Sequence, residues 1–383
     1  MFVVKKIIRI TNQHESKKLF LKIIKFLIFI LIYDLLIKFM VYIIAEIAQG
    51  YYQKKSEDSV NLAKWLIKSA KSANADAVKF QPIFADEIVT KDYKYYDLFK
   101  SMELTEDQWE AIFKTAKEES IDFIFDVSGE TSFKLSRKFK LKKLKIHPSD
   151  LSNFFLLKKI KNDETTDHII VGIGGAIFTE IVKLIDYLVP VKNLILLHGF
   201  QGYPTPLDEN DLNRLEYLKK YIQTHKYSEK ISIGFADHSD PNSNDAMILN
   251  STSIGLGISL IEKHLTLAKS LKLEDYESAL SPDEFLQFTE INKRCLTALG
   301  KKVEKDKKDF NLKESELAYR KMVRRHVVAA KNLDEGQTIK ETDIKLKRTS
   351  CDNPIEEINK VIGKHLAKSI KIDEAIESSF LNE

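Results

Sequence analysis

The sequence predicts an α/β protein in which eight strand–helix repeats form a closed barrel, followed by a small β-rich domain. Short apolar runs alternate with helical patterns across about 260 residues, a length typical of a (β/α)8 TIM barrel. A doubly wound sheet usually has fewer strands and a glycine-rich first turn, and the sequence shows neither feature. Beyond this region the apolar runs become shorter, and a turn at residues 334–337 follows one of them, as in a small β domain.

The predicted strands share a short length and a high content of apolar residues. They are residues 41–47, 76–81, 122–127, 143–147, 168–173, 193–198, 231–236 and 258–264. Between them, stretches such as residues 59–74 place apolar residues three and four positions apart, which indicates amphipathic helices. Regular alternation of the two patterns favours a parallel barrel with helices outside.

The length of the chain predicts more than one domain. At 383 residues it exceeds the roughly 250–300 residues at which a single core stops growing. We therefore predict a barrel domain over residues 40–300, a charged linker over residues 301–321 and a small β-rich domain over residues 322–383.

Residues 1–39 form an apolar N-terminal extension. Its longest charge-free run, Phe26 to Tyr33, is shorter than the roughly 20 residues that cross a bilayer. The extension is either an amphipathic helix that docks on the protein or on a membrane surface, or sequence upstream of a start at Met40. The second interpretation is favoured, and no membrane association is expected.

Composition excludes some classes of function. With 60 basic and 56 acidic residues the net charge is +4, and the lysines are spread along the whole chain. A nucleic-acid-binding protein would concentrate its cations on one element, so no nucleic-acid partner is expected. Cys295 and Cys351 fall in different predicted domains without CxxC spacing, so they are expected to be reduced thiols of a cytoplasmic protein.

Polar residues end most of the predicted strands, where a barrel enzyme has its active site. They are Glu46, Lys79, Gln81, Asp126, Lys145, His198, Asp237, His238, Glu262 and His264. Because side chains alternate across a strand, Glu262 and His264 are predicted to share the inner face, and Lys263 to point toward the helices.

A metal site is predicted where the last strand meets the first. His238, His264 and Glu46 would gather there, and two imidazoles with a carboxylate suit a divalent metal such as Mn²⁺. Such an ion would act as a Lewis acid on a carbonyl group. A single histidine at a strand end is more often only hydrogen-bonded, but two on adjacent strands beside a carboxylate favour the metal.

Lys79 and Lys145 are predicted to face the mouth of the barrel. Two lysines with a histidine favour the binding of a phosphate and a carboxylate, because each ammonium is a compact positive charge. Two alternatives stay open: one lysine forms a Schiff base with a substrate carbonyl, or each extends from the rim into solvent.

These segments, in this order, resemble the sialic acid synthase family with its C-terminal antifreeze-like (SAF) domain. The matching segments are residues 43–47, 75–81, 144–153, 198–206, 234–239, 260–266, 278–285, 324–339 and 361–370. The resemblance implies a metal-dependent condensation of phosphoenolpyruvate with an N-acylated aminosugar, such as N-acetylmannosamine or a diacetamido-hexose. The products would be a nonulosonic acid and phosphate.

The resemblance also implies roles for individual residues. His238 and His264 match the ligands of a divalent metal, Mn²⁺ or Mg²⁺, and Glu46 matches the acidic residue beside the reacting carbons. Lys79 and Lys145 match the lysines that hold phosphoenolpyruvate. The positions that match the sugar site are Tyr203, Glu262 and Asp275, and Gln81 and Asp237 are added as substrate-binding candidates. Arg325 matches the arginine that one subunit's SAF domain sends into its partner's active site, which implies a domain-exchanged homodimer.

Several residues depart from the family pattern, mostly hydroxyls that would donate hydrogen bonds to phosphate. The departures are residues 48–55, His147 to Asp150, residues 173–175, Gly199, Ala236 and residues 272–277. Two rivals therefore remain: a Schiff-base aldolase on the same barrel, and a non-catalytic relative that binds a sugar or a partner protein.

Overall fold

The computed structural model describes residues 41–199, 202–300 and 310–382. The predicted extension over residues 1–39 and the first part of the predicted linker lie outside this range. The chain divides into two compact units, residues 1–301 and 302–383. None of the helices in the described ranges has the length and apolar character needed to cross a bilayer.

The first unit is a closed parallel barrel, which confirms the predicted fold class. Strands β1 to β8 pair in chain order, and β8 pairs with β1 to close the ring. The strands are β1 Tyr42–Ala48, β2 Ala77–Phe80, β3 Asp122–Val127, β4 Lys143–Ile146, β5 His168–Gly172, β6 Asn193–His198, β7 Ile231–Asp237 and β8 Leu260–Leu265. A short strand, β9 Ala279–Leu280, extends the sheet beside β8.

Helices follow the strands and cover the outside of the barrel. In the first unit they are α1 Ser56–Ser72, α2 Ala85–Ile88, α3 Tyr96–Ser101, α4 Glu106–Glu118, α5 Glu130–Lys138, α6 Phe154–Lys161, α7 Phe178–Leu188, α8 Asn213–Thr224, α9 Asp245–Leu256 and α10 Pro282–Leu299. In α1 the buried positions Ala63, Leu66, Ile67 and Ala70 recur at three- and four-residue spacing, so one stripe faces the sheet.

Alternation along the strands divides the apolar side chains into two cores. The outward-facing residues, such as Phe80 and Phe125, pack against Trp109 of α4 in the layer between barrel and helices. The inward-facing residues form a separate small core inside the barrel. Its members are Ile44, Ala77, Ile124, Ile170, Leu197, Ala236 and Leu260. The positions two residues further along several of these strands therefore also point inward, toward the C-terminal mouth.

The second unit has its own apolar core and two antiparallel strand pairs. β10 His326–Ala329 pairs with β11 Ile344–Lys347, and β12 His365–Leu366 pairs with β13 Leu381–Asn382. The core includes Val327, Leu333, Ile339, Val361, Leu366, Ile370 and Ile376, each almost fully buried. The unit is β-rich, as the sequence predicts; its assignment as an SAF domain stays a prediction.

Part of the predicted linker is helical. Helix α11 spans Glu314–Val323, inside and just beyond the predicted range of 301–321. Its first turn carries Glu314 and Glu316 and its last turn Arg320 and Lys321, which complement the helix dipole. The high charge that suggested a solvated linker is thus also compatible with a solvated helix.

A polar contact lies at the N-terminal ends of the barrel strands. The Tyr42 hydroxyl donates to the Asp122 carboxylate at 2.6 Å, and Lys143 Nζ donates to the same carboxylate at 2.6 Å. These residues begin β1, β3 and β4, two positions before the inward-facing residues above them. They connect three strands at the end of the barrel opposite the mouth.

Tyr42→Phe is expected to lower the free energy of unfolding by about 1 kcal/mol, because it removes one hydrogen bond to a partly exposed carboxylate. Urea denaturation measures the change. Tyr217→Phe is the matched control, since this ring is 59% exposed and its hydroxyl has no hydrogen bond among the described residues; a change within about 0.5 kcal/mol is expected there. Equal stability of the two variants would contradict the contribution of the Tyr42 contact.

Candidate active site

Five ionisable side chains meet inside the mouth of the barrel, and we call them the charge cluster: Glu46, Lys79, Asp126, Lys145 and Glu262. They come from β1, β2, β3, β4 and β8, and each is at most 4% exposed. Lys145 Nζ donates to Glu262 Oε1 at 2.9 Å and lies 3.4 Å from Asp126 Oδ2. Lys79 Nζ lies 3.5 Å from Asp126 and 3.6 Å from Glu262, and it also pairs with Glu46. Two predicted catalytic lysines and the predicted catalytic glutamate are therefore brought together.

A bulge at the end of β1 positions Glu46. The register between β1 and β2 shifts between Glu46 and Ala48, and Ala48 has a φ of +47°, a left-handed conformation that a non-glycine residue rarely adopts. This backbone turns the Ala48 amide back toward Glu46, whose Oε1 accepts its hydrogen bond at 2.6 Å. The carboxylate is thus held by the main chain on one side and by Lys79 on the other.

The members of the charge cluster shift one another's pKa values. Burial lowers the pKa of Lys79 to about 8, because a charged amine is disfavoured away from water. Burial also opposes the charged form of Lys145, but the carboxylates of Glu262 and Asp126 outweigh it and raise its pKa. Burial alone would raise the pKa values of Asp126 and Glu262, yet the lysines hold both below their usual range. The two lysines are therefore not equivalent, since Lys79 gives up its proton more easily.

The two predicted metal ligands also lie together. The ring centroids of His238 and His264 are 5.3 Å apart, and the Tyr203 ring stands edge-on to both at 5.2 and 5.7 Å. Asp275 Oδ2 lies 3.9 Å from His264 Nδ1. Burial lowers the pKa of His238 to about 4 and holds that of His264 well below its usual value. Both rings are therefore neutral at physiological pH, which is the form that binds metals.

The donor atoms fit a divalent cation in part. His238 Nδ1 is buried and has no hydrogen-bond partner among the described residues, so a ligand atom is free to bind. However, no group of three histidine, cysteine or carboxylate side chains is arranged to hold a metal within the parts of the chain that the structure describes. Glu46 lies next to His264 in the register of β1 and β8, and its carboxylate is paired with Lys79. The protein side would thus supply two imidazoles, leaving other positions for water or substrate.

A cavity of about 890 Å³ opens at this end of the barrel. Its wall includes Gln81 and Asp126 from the ends of β2 and β3, and an apolar side from the segment between β2 and α4. The lining residues of that segment include Ile83, Val89, Tyr93, Tyr95, Leu98, Phe99 and Met102. Gln81 bridges from Gln49, at 2.6 Å, to Asp126, at 3.3 Å. The volume lies in the range of small-molecule sites.

Asp237 is not brought to the mouth. It ends β7 with its side chain on the helix side, where Oδ1 lies 3.2 Å from Lys263 Nζ and Oδ2 accepts from Asn250 of α9 at 2.6 Å. Both Asp237 and Lys263 are 0% exposed. The prediction that Lys263 faces the helices is confirmed, and its ion pair holds the strand end from which His238 follows.

Lys263→Met is expected to lower the free energy of unfolding by about 3–5 kcal/mol, because it leaves the Asp237 carboxylate buried without its cation. The double variant Lys263→Met/Asp237→Asn should recover much of that loss, since it removes both charges. Guanidinium denaturation of the wild type, both single variants and the double variant gives the coupling energy. Additive losses would contradict a buried pair.

Asp126 and His147 belong to the site, although no role is predicted for either of them from the sequence. Asp126 contacts both lysines. His147 lines the cavity just after β4. Its position is predictable, because it follows Lys145 by two positions and so shares its face. His198 Nε2 donates to the Asn210 carbonyl, 2.9 Å away, rather than facing the charge cluster. Arg325 is exposed in the second unit.

Two of the departures, Gly199 and the turn containing Pro148, coincide with close contacts at the strand ends. A Cβ atom on Gly199 would lie 2.3 Å from the Ala236 carbonyl oxygen, so a larger residue does not fit there. Similarly, a Cβ atom on Gly172 would lie 2.7 Å from Pro148 Cδ. The close approach of Pro148 therefore excludes a larger side chain at Gly172, and the close approach of the Ala236 carbonyl excludes one at Gly199.

Comparison with known proteins identifies related sequences. A model of the NeuB family matches residues 66–304. The N,N'-diacetyllegionaminic acid synthase of Legionella pneumophila is 26% identical over 331 residues, which cover 81% of this chain and 87% of that protein. The N-acetylneuraminate-9-phosphate synthase of Drosophila melanogaster is 26% identical over 369 residues, which cover 88% and 94%. Because the two identities are equal, overall similarity does not favour either sugar acid.

Comparison with solved structures supports the fold. A spore coat polysaccharide biosynthesis protein E candidate from Chromobacterium violaceum has a TM-score of 0.75 at 20% identity. The match covers 90% of this chain and 100% of that chain. At this identity the likeness concerns the architecture alone.

Proposed function

The chain belongs to the NeuB family, and from this premise we propose that it condenses phosphoenolpyruvate with an N-acylated aminosugar to give a nonulosonic acid and phosphate. N-acetylmannosamine and diacetamido-hexoses are the candidate sugars. The observation that carries the proposal is the charge cluster with its two buried lysines, next to the His238–His264 pair at the mouth of one barrel.

Each part of the cluster has a role in this proposal. Lys79 and Lys145 hold the phosphate and the carboxylate of phosphoenolpyruvate, as compact cations do. Gln81, Tyr203, Glu262 and Asp275 contact the sugar. Asp126 contacts both lysines and orients them. Asp237 has no contact with substrate; its ion pair with Lys263, on the helix side of β7, fixes the strand end that precedes His238.

The reaction forms one carbon–carbon bond and one carbon–oxygen bond, and it breaks the carbon–oxygen bond to phosphate. The aldehyde oxygen becomes a hydroxyl by taking up a proton, which balances the one that water gives up. The methylene carbon of phosphoenolpyruvate bonds to the sugar aldehyde carbon, and a water oxygen adds to the carbon that bears the phosphate. Glu46 accepts the proton of that water, since the Ala48 amide and Lys79 fix its carboxylate. The tetrahedral centre then collapses, phosphate leaves, and a keto group remains.

A divalent cation, Mn²⁺ or Mg²⁺, held by His238 and His264 would supply Lewis-acid polarisation of the aldehyde carbonyl. The neutral state of both rings supports this assignment, as does His238 Nδ1, which has no hydrogen-bond partner in the described part of the chain. Tyr203, edge-on to both rings, limits their movement.

We further propose that the second unit is an SAF domain and that the protein is a domain-exchanged homodimer. In such an assembly Arg325 of one protomer would contact the substrate in its partner's barrel. The exposure of Arg325 supports this role, because an exposed guanidinium is free to meet an anion.

Phosphate release from phosphoenolpyruvate is expected to require Mn²⁺ or Mg²⁺ and one sugar among N-acetylmannosamine, its 6-phosphate and diacetamido-hexoses. His238→Ala should lower the rate at least 100-fold, because one metal ligand is lost. A colorimetric phosphate assay measures the rate, and the unfolding curve of the variant shows that it remains folded. Wild-type protein that binds phosphoenolpyruvate but releases no phosphate with any of these sugars would favour a non-catalytic relative.

A Schiff-base aldolase on the same barrel is the second candidate, and the pKa of Lys79 favours it. At a pKa of about 8 a fraction of the amine is neutral, as a nucleophile must be. However, Lys79 is paired with Glu46 and close to two further carboxylates, which favour its charged form.

Borohydride in the presence of pyruvate is expected to leave the protein mass unchanged, because the proposed condensation forms no imine. Intact-mass spectrometry detects the reduced adduct if an imine forms. An adduct that is present in the wild type and absent from Lys79→Met would support the aldolase and contradict the condensation. An adduct also present in Lys79→Met would come from another lysine, with Lys145→Met as the next variant.

A further inference from the structure

The described part of the wall of the mouth cavity is mainly acidic and includes one basic side chain. Among the described lining residues, Glu87, Asp126, Asp150 and Glu274 are acidic, and His147 is the only histidine, lysine or arginine. Lys79 and Lys145 lie beneath this surface and are 0% and 4% exposed. An anion that enters the cavity therefore reaches His147 before it reaches either lysine.

The turn after β4 fixes the position of His147. Pro148 begins a short 3-10 turn, Pro148–Asp150, and its ring packs against Gly172 at the end of β5. His147 has an extended backbone, with φ of −68° and ψ of 149°. Strand alternation consequently places its side chain on the face of Lys145, above that lysine.

Hydrogen bonds to the ring assign its tautomer. Nδ1 accepts from the Ser149 main-chain N–H at 3.3 Å and lies 2.9 Å from the Ser149 hydroxyl. A nitrogen that accepts from a main-chain amide carries no proton in the neutral ring. Burial lowers the pKa of His147, so the neutral ring is the main form at physiological pH. The proton is then on Nε2, which has no hydrogen-bond partner among the described residues.

We propose that His147 Nε2 donates a hydrogen bond to an anionic group of phosphoenolpyruvate, its phosphate or its carboxylate, in the mouth cavity. This inference rests on the proposed function. It assigns a donor to the turn after β4, one of the departures from the family pattern, in which the Ser149 hydroxyl contacts His147 and Asp150. The Ser149 amide and hydroxyl then act as positioning groups, because they hold Nδ1 and direct Nε2 into the cavity.

Three substitutions test the donor atom. His147→Ala removes the ring, His147→Gln keeps an N–H near the position of Nε2, and His147→Asn keeps one only near Nδ1. His168→Ala is the matched control, since this histidine begins β5 at the opposite end of the barrel. Isothermal titration calorimetry with phosphoenolpyruvate, inorganic phosphate and pyruvate measures binding, and circular dichroism with thermal unfolding checks the fold of each variant.

His147→Ala and His147→Asn are expected to weaken phosphoenolpyruvate binding about 10-fold or more, while His147→Gln and His168→Ala stay within about threefold of wild type. Weaker binding of inorganic phosphate with unchanged pyruvate would identify the phosphate as the acceptor, and the reverse would identify the carboxylate. A folded His147→Ala protein that binds all three probes like wild type would overturn the inference, as would rescue by asparagine rather than glutamine.

The outcome for the wild type separates this inference from the proposed function. Binding that depends on His147 without phosphate release for any sugar would overturn the condensation and support the anion contact. Phosphate release with an unchanged KM for phosphoenolpyruvate in His147→Ala would support the condensation and overturn the contact. A wild-type protein that binds none of the three probes would overturn both.

Discussion

Mutual compensation of buried charges is the constraint on which the mouth of this barrel depends. Strand alternation puts Glu46 two residues after Ile44, and Glu262 two residues after Leu260, so a charged layer lies directly on an apolar one. A charge cut off from water costs several kcal/mol unless an opposite charge lies close by. Each lysine of the charge cluster lies within 3.6 Å of an Asp126 or Glu262 oxygen, so every member depends on the others to stay ionised.

The charge balance of this layer decides how an anion can enter it. Three carboxylates and two lysines carry a formal charge of −1, and the neutral rings of His238 and His264 add nothing to it. The lysines alone therefore do not make an anion site, because their charges are already compensated. An anionic substrate therefore needs additional positive charge or hydrogen-bond donors at the rim. The histidine pair and the turn after β4 are the parts of the rim that can supply them, next to the lysines.

The sequence predicted the parts of this arrangement that follow from alternation. Side chains alternate between the two faces of a strand. This rule alone predicts that Lys79 and Lys145 point into the barrel and that Lys263 points outward. The same rule, counted from Ala236, also places Asp237 outside, which the prediction of a substrate contact overlooked. The partner of Glu46 could not be predicted, because it depends on the bulge at Ala48 and its φ of +47°. The apolar wall of the cavity could not be predicted either, because it depends on how the short helices between β2 and α4 pack, and the sequence pattern does not show this.

Apart from Ala236 in β7, the differences from the family pattern lie mainly in turns, whereas the charge cluster lies in strands. The two regions are constrained differently. A change to one member of the cluster leaves a buried charge without compensation, so the strand residues can change only together. In a turn, one substitution alters a single contact, and the backbone can adjust with it. A donor lost from one turn position can therefore be replaced by a longer side chain at the next, without disturbing the lysines beneath. Under the proposed function, strand residues therefore supply the reacting groups, and turn residues adjust the contacts to the anion and the sugar.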